Sequence, residues 1–270
     1  MEKLRHIDWL LFFATLPIVG AGLVSMYAFV GVNNYFDRQM LWIPIALGVF
    51  FFFALIDFRS LRKSNTLLYV FLFFNGLLAL LFITGSIFKG AQSWFNLGAF
   101  AVQPADPMKL VLILILAKYF SRRHVEIAHV KHIFISGFYA LVPCVLVLLQ
   151  PDFGSTIILM AIWLGMTVVS GISKKHLAIV FGVGAVAFIL LWSFVLHPYQ
   201  QQRIKTFLNP LTDIRGAGYN AYQSTVAVGS GELTGKGIGY GTQSRLKFLP
   251  EYQTDFIFAS FAEEWGFIGV

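Results

Sequence analysis

Apolar residues run along this chain in long unbroken blocks rather than in the alternation of a half-buried helix or strand. A block of roughly 17 to 25 mainly apolar residues, bounded by charge or by Gly and Pro, is what a helix needs to cross a bilayer. Seven blocks stand at Leu10–Val30, Leu41–Ile56, Thr66–Phe88, Met108–Tyr119, Ile133–Leu149, Ser155–Ser170 and Leu177–Leu196. The fourth is short, which puts its start below the outer surface or behind neighbouring protein. An eighth opens at Asp255 and reaches Val270 with no stop signal, basic flank or polar tail, so the chain reads as a fragment ending inside a helix. No small-residue cleavage site follows a short apolar stretch near the N-terminus, so the first block is expected to stay as an anchor. The pattern predicts an all-α polytopic integral membrane protein: one membrane domain over 1–270, with about seven complete helices and the start of an eighth.

Composition agrees. Hydrophobic residues make up 57% and charged residues 12% of the 270, with 29 Phe, and the mean hydropathy is +0.73. Too few polar residues remain to cover a water-soluble globule, which excludes a disordered chain, a secreted disulfide scaffold and a cytosolic enzyme. The single cysteine, Cys144, lies in an apolar block and reads as a small buried hydrophobe.

Charge supplies the orientation. With the N-terminus cytoplasmic, the inner segments hold Lys3, Arg5, Arg59, Arg62, Lys63, Lys118, Arg122, Arg123, Lys131, Lys174 and Lys175, and the short outer loops hold Arg38 and Lys89. That asymmetry fixes the topology. The net charge of +7 is mostly a topology signal and gives no reason to invoke nucleic acid. Arg203, Lys205, Arg215, Lys236, Arg245 and Lys247 fall in residues 197–254, a large extracytoplasmic loop between the seventh and eighth helices. Its glycines, from Gly216 to Gly241, alternate with Tyr219, Tyr222, Leu233, Ile238, Phe248 and Leu249. Such a loop reads as short amphipathic pieces folded on the membrane surface, since a linker would lack the aromatics.

Within Gly229–Gly237 a phosphate loop is excluded: Ser230 stands where Gly is needed, and Gly237 where Ser or Thr is needed. The membrane-proximal ionisable residues are more informative. Asp106, Lys109, Asp152, Glu251 and Asp255 all fall at the outer ends of predicted helices. Five on one side point to a shared outward-facing site, and helix N-termini there favour anionic groups such as phosphates. Each has a plainer alternative. Asp106, Asp152 and Asp255 have the positions of helix N-caps, Lys109 has Asp152 as a structural ion-pair partner, and Trp94 fits an interfacial aromatic belt. Glu263 and Glu264, about two turns into the eighth block, require partners that the sequence does not identify.

At these positions the chain resembles the SEDS family of bacterial membrane glycosyltransferases, which includes the RodA and FtsW proteins. The resemblance rests on Lys89–Trp94, Gln103 to Lys109, Gln150–Gly154, Tyr199–Arg203, Phe207–Pro210 and Gly229–Gly269, above all Leu249–Phe258 followed by Ala262-Glu263-Glu264. Gly241-Thr242-Gln243 and Tyr199–Arg203 look more like the elongation branch, RodA, than the division branch. Ala105 and Asp106 depart from the family's usual Ser-Glu, keeping a carboxylate one methylene shorter.

The resemblance implies a ten-helix bundle and polymerisation of lipid II into glycan strands on the outer face of the bacterial cytoplasmic membrane, for elongation and rod shape. It also implies a class B penicillin-binding protein and other elongation-complex membrane proteins as partners. Asp255 matches the family's essential acidic residue and is assigned as general base. Lys109, Arg203, Arg245 and Lys247 are candidate binders of the lipid diphosphate, and Trp94, Asp106, Asp152 and Glu251 complete the substrate-binding set. No metal ligand is assigned, although the chemistry leaves room for a divalent cation, Mg or Mn. A lipid II flippase and a noncatalytic scaffold of the elongation complex are the alternatives.

Overall fold

The computed structural model describes residues 7–28, 34–58, 61, 65–88, 91–96, 101–121, 130–196, 198–216 and 218–270. Lys3, Arg5, Arg59, Arg62, Lys63, Lys89, Arg122 and Arg123, which enter the orientation argument, lie outside the described residues.

The seven apolar blocks fold as helices: α1 Trp9–Ala28, α2 Asn34–Leu55, α3 Thr66–Thr84, α4 Ala105–Ser121, α5 Val130–Leu149, α6 Phe153–Val169 and α7 Lys174–Leu190. A π-turn at Leu191–Val195 continues α7. Five of them, α1, α2, α3, α5 and α7, contain stretches long and apolar enough to cross a bilayer. With α4 and α6, each of 17 residues, they make this a multi-pass membrane protein with a helical fold.

The chain gathers into two compact units, Asp57–Ile189 and Met1–Ile56 with Leu190–Val270. In the first, α4 is the central helix. It buries Ala105, Met108, Val111, Leu112, Ile115, Leu116 and Phe120, at the three- and four-residue spacing that lines helix faces. These meet Phe71, Leu78 and Leu81 of α3, Ala140, Cys144 and Val147 of α5, and Leu159 of α6 in one core. At about 1.5 Å per residue α4 is about 26 Å long, short of a hydrocarbon layer of about 30 Å. One face of it is covered by neighbouring helices, while Leu110, Ile113 and Leu114 stay exposed. By contrast α7 buries none of its residues.

Polar tethers reinforce this packing. Gln150, buried at the end of α5, donates from Nε2 to the Leu78 carbonyl at 2.8 Å, and Trp163 Nε1 of α6 donates to Ser136 Oγ of α5 at 3.2 Å.

The third helix stops earlier than its apolar run predicts. It ends at Thr84, and Gly85 turns extended (φ −68°, ψ 138°) while donating its N–H to the Leu81 carbonyl. Ser86–Phe88 then becomes strand β1, antiparallel to β2, Ala91–Asn96, which pairs on its other side with β3, Ala101–Val102. The helix ends early for a simple reason: hydropathy does not separate a helix end from a short apolar strand, and the backbone groups released at Gly85 find partners across the hairpin.

In the second unit α1 packs against α2, and residues after the π-turn form α8 Pro198–Leu208, a 3₁₀ turn at Pro210–Asp213, α9 Tyr219–Ser230, α10 Thr242–Arg245 and α11 Ile257–Gly269. Residues 198–245 thus hold several short helical pieces. Trp265 Nε1 of α11 donates to the buried Ser25 Oγ of α1 at 3.0 Å, which fixes α11 to the first helix.

Candidate active site

The groups expected to do chemistry are distributed over both units, and each unit organises its own share. In the unit built on α4, the segment Gln103-Pro104 leads into that helix, and Asp106 is its second residue rather than its cap. A carboxylate in the first turn is favoured by the helix dipole. Lys109, one turn later on the same face, forms an ion pair with Asp106 at 2.8 Å. This corrects the expected Lys109–Asp152 pair: the i,i+3 partner is already within reach, and the oxygens of Asp152 are committed elsewhere.

Asp152 is the N-cap of α6. Its Oδ1 accepts from the Ser155 N–H at 3.0 Å, and its Oδ2 accepts from Gln103 Nε2 at 2.7 Å. One carboxylate therefore joins the starts of α4 and α6. Trp94 lies half-buried on β2, opposite Ser86 in the hairpin register; Lys89 and Gly90 of the same motif lie outside the described residues. Asp152→Ala is expected to lower stability by about 1 kcal/mol through the lost cap. Asp152→Asn, which keeps one acceptor for the cap and loses the other, should melt between the alanine variant and the wild type in a detergent thermal-unfolding assay.

In the other unit, Asp255 sits at the head of α11. The capping position belongs to Phe256 and uses no side-chain bond, so the N-cap alternative for Asp255 does not hold. Its side chain is exposed, and no described residue holds its carboxylate. The loop beneath it is nevertheless well anchored. Leu249 is fully buried against Ala227 of α9 and Ala259 of α11, with Tyr252 and Phe256 packed alongside. On either side, Lys247 (φ 59°) and Glu251 (φ 49°) take the left-handed backbone conformation that costs a non-glycine residue about 1–3 kcal/mol. The Glu251 carbonyl accepts from the Thr254 and Phe256 N–H groups at 3.1 and 3.2 Å, and its carboxylate accepts from Thr254 Oγ1 at 3.1 Å. Glu251 thus shapes the turn that presents Asp255. Arg203 on α8, Arg245 at the end of α10 and Lys247 are exposed.

Sequence reasoning left Glu263 and Glu264 without partners, and the structure supplies them. Glu263 is fully buried; its Oε1 lies 2.7 Å from Lys236 Nζ and accepts from Thr242 Oγ1 at 3.0 Å and the Gln243 N–H at 3.1 Å. Glu264, also buried, accepts from the Gly239 N–H at 3.1 Å. The glycine-rich stretch that superficially suggests a phosphate loop instead wraps the end of α11. Lys236 and Gly237 donate their backbone N–H groups to the Glu263 and Glu264 carbonyls, each at 3.0 Å. A signal for this was present in the sequence: two acidic residues inside an apolar run demand compensating donors, and Lys236 lies among small residues that allow close approach.

Among the described residues, no three or more His, Cys, Asp or Glu side chains gather in a group that could hold a metal ion.

Residues 4–270 match the family profile of the FtsW, RodA and SpoVE cell cycle proteins. The chain is 35% identical over 274 residues to stage V sporulation protein E of Bacillus subtilis (strain 168), covering 97% of this chain and 74% of that protein. It is 41% identical over 186 residues to the peptidoglycan glycosyltransferase MrdB of Escherichia coli (strain K12), an alignment spanning 69% of this chain and half the length of MrdB. Among solved structures, a chain of a peptidoglycan synthase complex that coordinates polymerization and crosslinking superposes with a TM-score of 0.74 at 28% identity. That match covers 98% of this chain and 73% of the other.

Proposed function

The chain belongs to the FtsW/RodA/SpoVE family of cell cycle proteins, and on that premise we propose that it is a peptidoglycan glycosyltransferase polymerising lipid II on the outer face of the bacterial cytoplasmic membrane, its N-terminus cytoplasmic. The observation that carries this reading is Asp255: an exposed carboxylate, not used as a helix cap, presented by a loop anchored through Leu249 and Glu251.

Joining two lipid-linked sugars requires the 4-hydroxyl oxygen of the acceptor to attack the anomeric carbon of the donor. The new C–O bond forms as the bond to the lipid diphosphate breaks, and the diphosphate leaves with the electron pair. The hydroxyl proton goes to Asp255, the general base. Arg203, Arg245 and Lys247 are the groups we assign to the diphosphate, where positive charge stabilises the departing anion; the assignment of Lys109 and Asp106 to substrate rests on the sequence resemblance alone. Trp94, Asp152 and Glu251 shape the substrate-binding segments.

We assign the elongation role on Gly241-Thr242-Gln243 and Tyr199–Arg203, with a class B penicillin-binding protein and other elongation-complex membrane proteins as partners. Similarity to a subunit of a peptidoglycan synthase complex supports such a partner. The test is reconstitution of the full-length protein, with its penicillin-binding partner, in lipid II vesicles, scoring glycan polymer against lipid moved across the bilayer. Polymer without translocation is expected; translocation without polymer would replace this reading with a flippase.

A further inference from the structure

The proposed reaction leaves unused a polar network in the Asp255-bearing unit, centred on the buried carboxylate of Glu263 and on Lys236. Lys236 places its ammonium 2.9 Å from Ser230 Oγ, 2.7 Å from Thr242 Oγ1 and 2.7 Å from Glu263 Oε1, so all its N–H bonds have acceptors. These partners come from α9, α10 and α11, while Lys236 stands in the glycine-rich segment between α9 and α10. A single carboxylate inside the fold thus ties four consecutive pieces of the chain together.

Stability alone is a poor reason for such an arrangement, because a buried ion pair often gives no more than apolar residues of the same shape. What a fully matched network does supply is a defined geometry. The geometry it defines here is that of the loop bearing Asp255. At one end of the loop, Gln243 donates its N–H to Glu263 and accepts at its carbonyl from the Leu249 N–H at 3.0 Å. At the other end, Asp255 runs into α11, and Glu263 lies eight residues further on, about 12 Å along a helix. One end of the 243–257 segment therefore bonds to the Glu263 carboxylate and the other enters the helix that carries it, with Leu249 buried between them.

We propose that Lys236 and Glu263 form a positioning latch that holds Asp255 in register for proton abstraction. This rests on the reading of Asp255 as the base. Neither latch residue touches substrate. Their effect is on where the Asp255 carboxylate stands, and displacing a catalytic group by about 1 Å can cost on the order of 100-fold in rate. A positioning role changes kcat and leaves the lipid II KM nearly constant.

The experiment measures kcat, KM and melting temperature for Lys236→Met, Lys236→Arg and Thr242→Val in the full-length protein with its partner, polymerising purified lipid II. Leu159→Ala, a cavity in the other unit's core, reports what destabilisation alone does. Lys236→Met is expected to lower kcat at least about 10-fold with KM within about 2-fold, and Lys236→Arg to restore most of it. Thr242→Val, which keeps the shape and removes one hydroxyl, should lower kcat about 3-fold and carries the test if Lys236→Met does not fold. An unchanged kcat in folded Lys236→Met or Thr242→Val, or a loss that only follows the unfolded fraction as in Leu159→Ala, overturns the latch. Asp255→Asn run alongside separates the failures. Normal turnover there overturns the base and the latch together, whereas loss there with normal Lys236→Met overturns the latch alone.

Discussion

Asp255→Asn is expected to lower the rate of lipid II polymerisation by at least about 100-fold, and by as much as about 10⁴-fold, the range that a positioned general base contributes. At about 1.4 kcal/mol per factor of ten this is roughly 3 to 5 kcal/mol of transition-state stabilisation. The same change should hardly affect folding. The side chain is exposed, caps no helix and is held by no described residue, and surface substitutions of that kind usually stay within about 0.5 kcal/mol. Asn keeps the volume and removes the acceptor for a proton, so loss of rate at unchanged melting temperature isolates the chemistry. Asp255→Glu restores a carboxylate displaced by one methylene and should fall between the two. Initial rates of glycan formation from purified lipid II, beside thermal unfolding of the same samples, make the comparison. Near-normal polymerisation by the Asn variant would remove Asp255 from the mechanism.

Much of the helical framework was legible because lipid imposes a strong rule: backbone groups in hydrocarbon must pair within a helix, so apolar length translates into spans. The Met108–Tyr119 block gives a helix that packs one face against α3, α5 and α6. The rule fails at boundaries. Ile87 and Phe88 extend the apolar run, yet Gly85 ends the helix and the chain turns into a strand.

Pairings were less legible than positions. That Asp106, Lys109 and Asp152 stand at helix starts follows from topology, but which of them meet depends on side-chain reach. Lys109 takes its own helix's Asp106, and Asp152 is shared between its cap and Gln103. The partner of Glu263 was hidden for another reason. Lys236 is 27 residues away, in a segment whose glycines resemble a phosphate loop, and only the folded backbone shows that those glycines let the segment close around α11.

Gly266→Ala is expected to damage that closure severely. Gly266 has φ 71° and ψ −175°, a conformation essentially confined to glycine and costing another residue about 1–3 kcal/mol. Steric conflict adds to this, because a Cβ there would collide with the Gly235 nitrogen and would meet the Thr234 carbonyl carbon at 2.6 Å and the Leu233 oxygen at 2.7 Å, all backbone atoms. The break at Gly266 lets Phe267 and Ile268 donate their N–H groups to the Glu232 and Leu233 carbonyls at 2.9 and 3.0 Å. On the same stretch, Lys236 and Gly237 reach the Glu263 and Glu264 carbonyls. Straightening the helix would sacrifice these bonds, and keeping the break would retain the strain, so a loss above about 3 kcal/mol follows either way. Gly229→Ala is the matched control: this helical position in α9 has open space around it, and alanine there should leave stability unchanged or raise it by up to about 1 kcal/mol. Thermal unfolding of both variants in detergent reads the difference. Because the displaced backbone carries Lys236, folded Gly266→Ala should also lose polymerisation rate, whereas a variant that melts and polymerises like the wild type would mean that the glycine segment does not hold α11 as described.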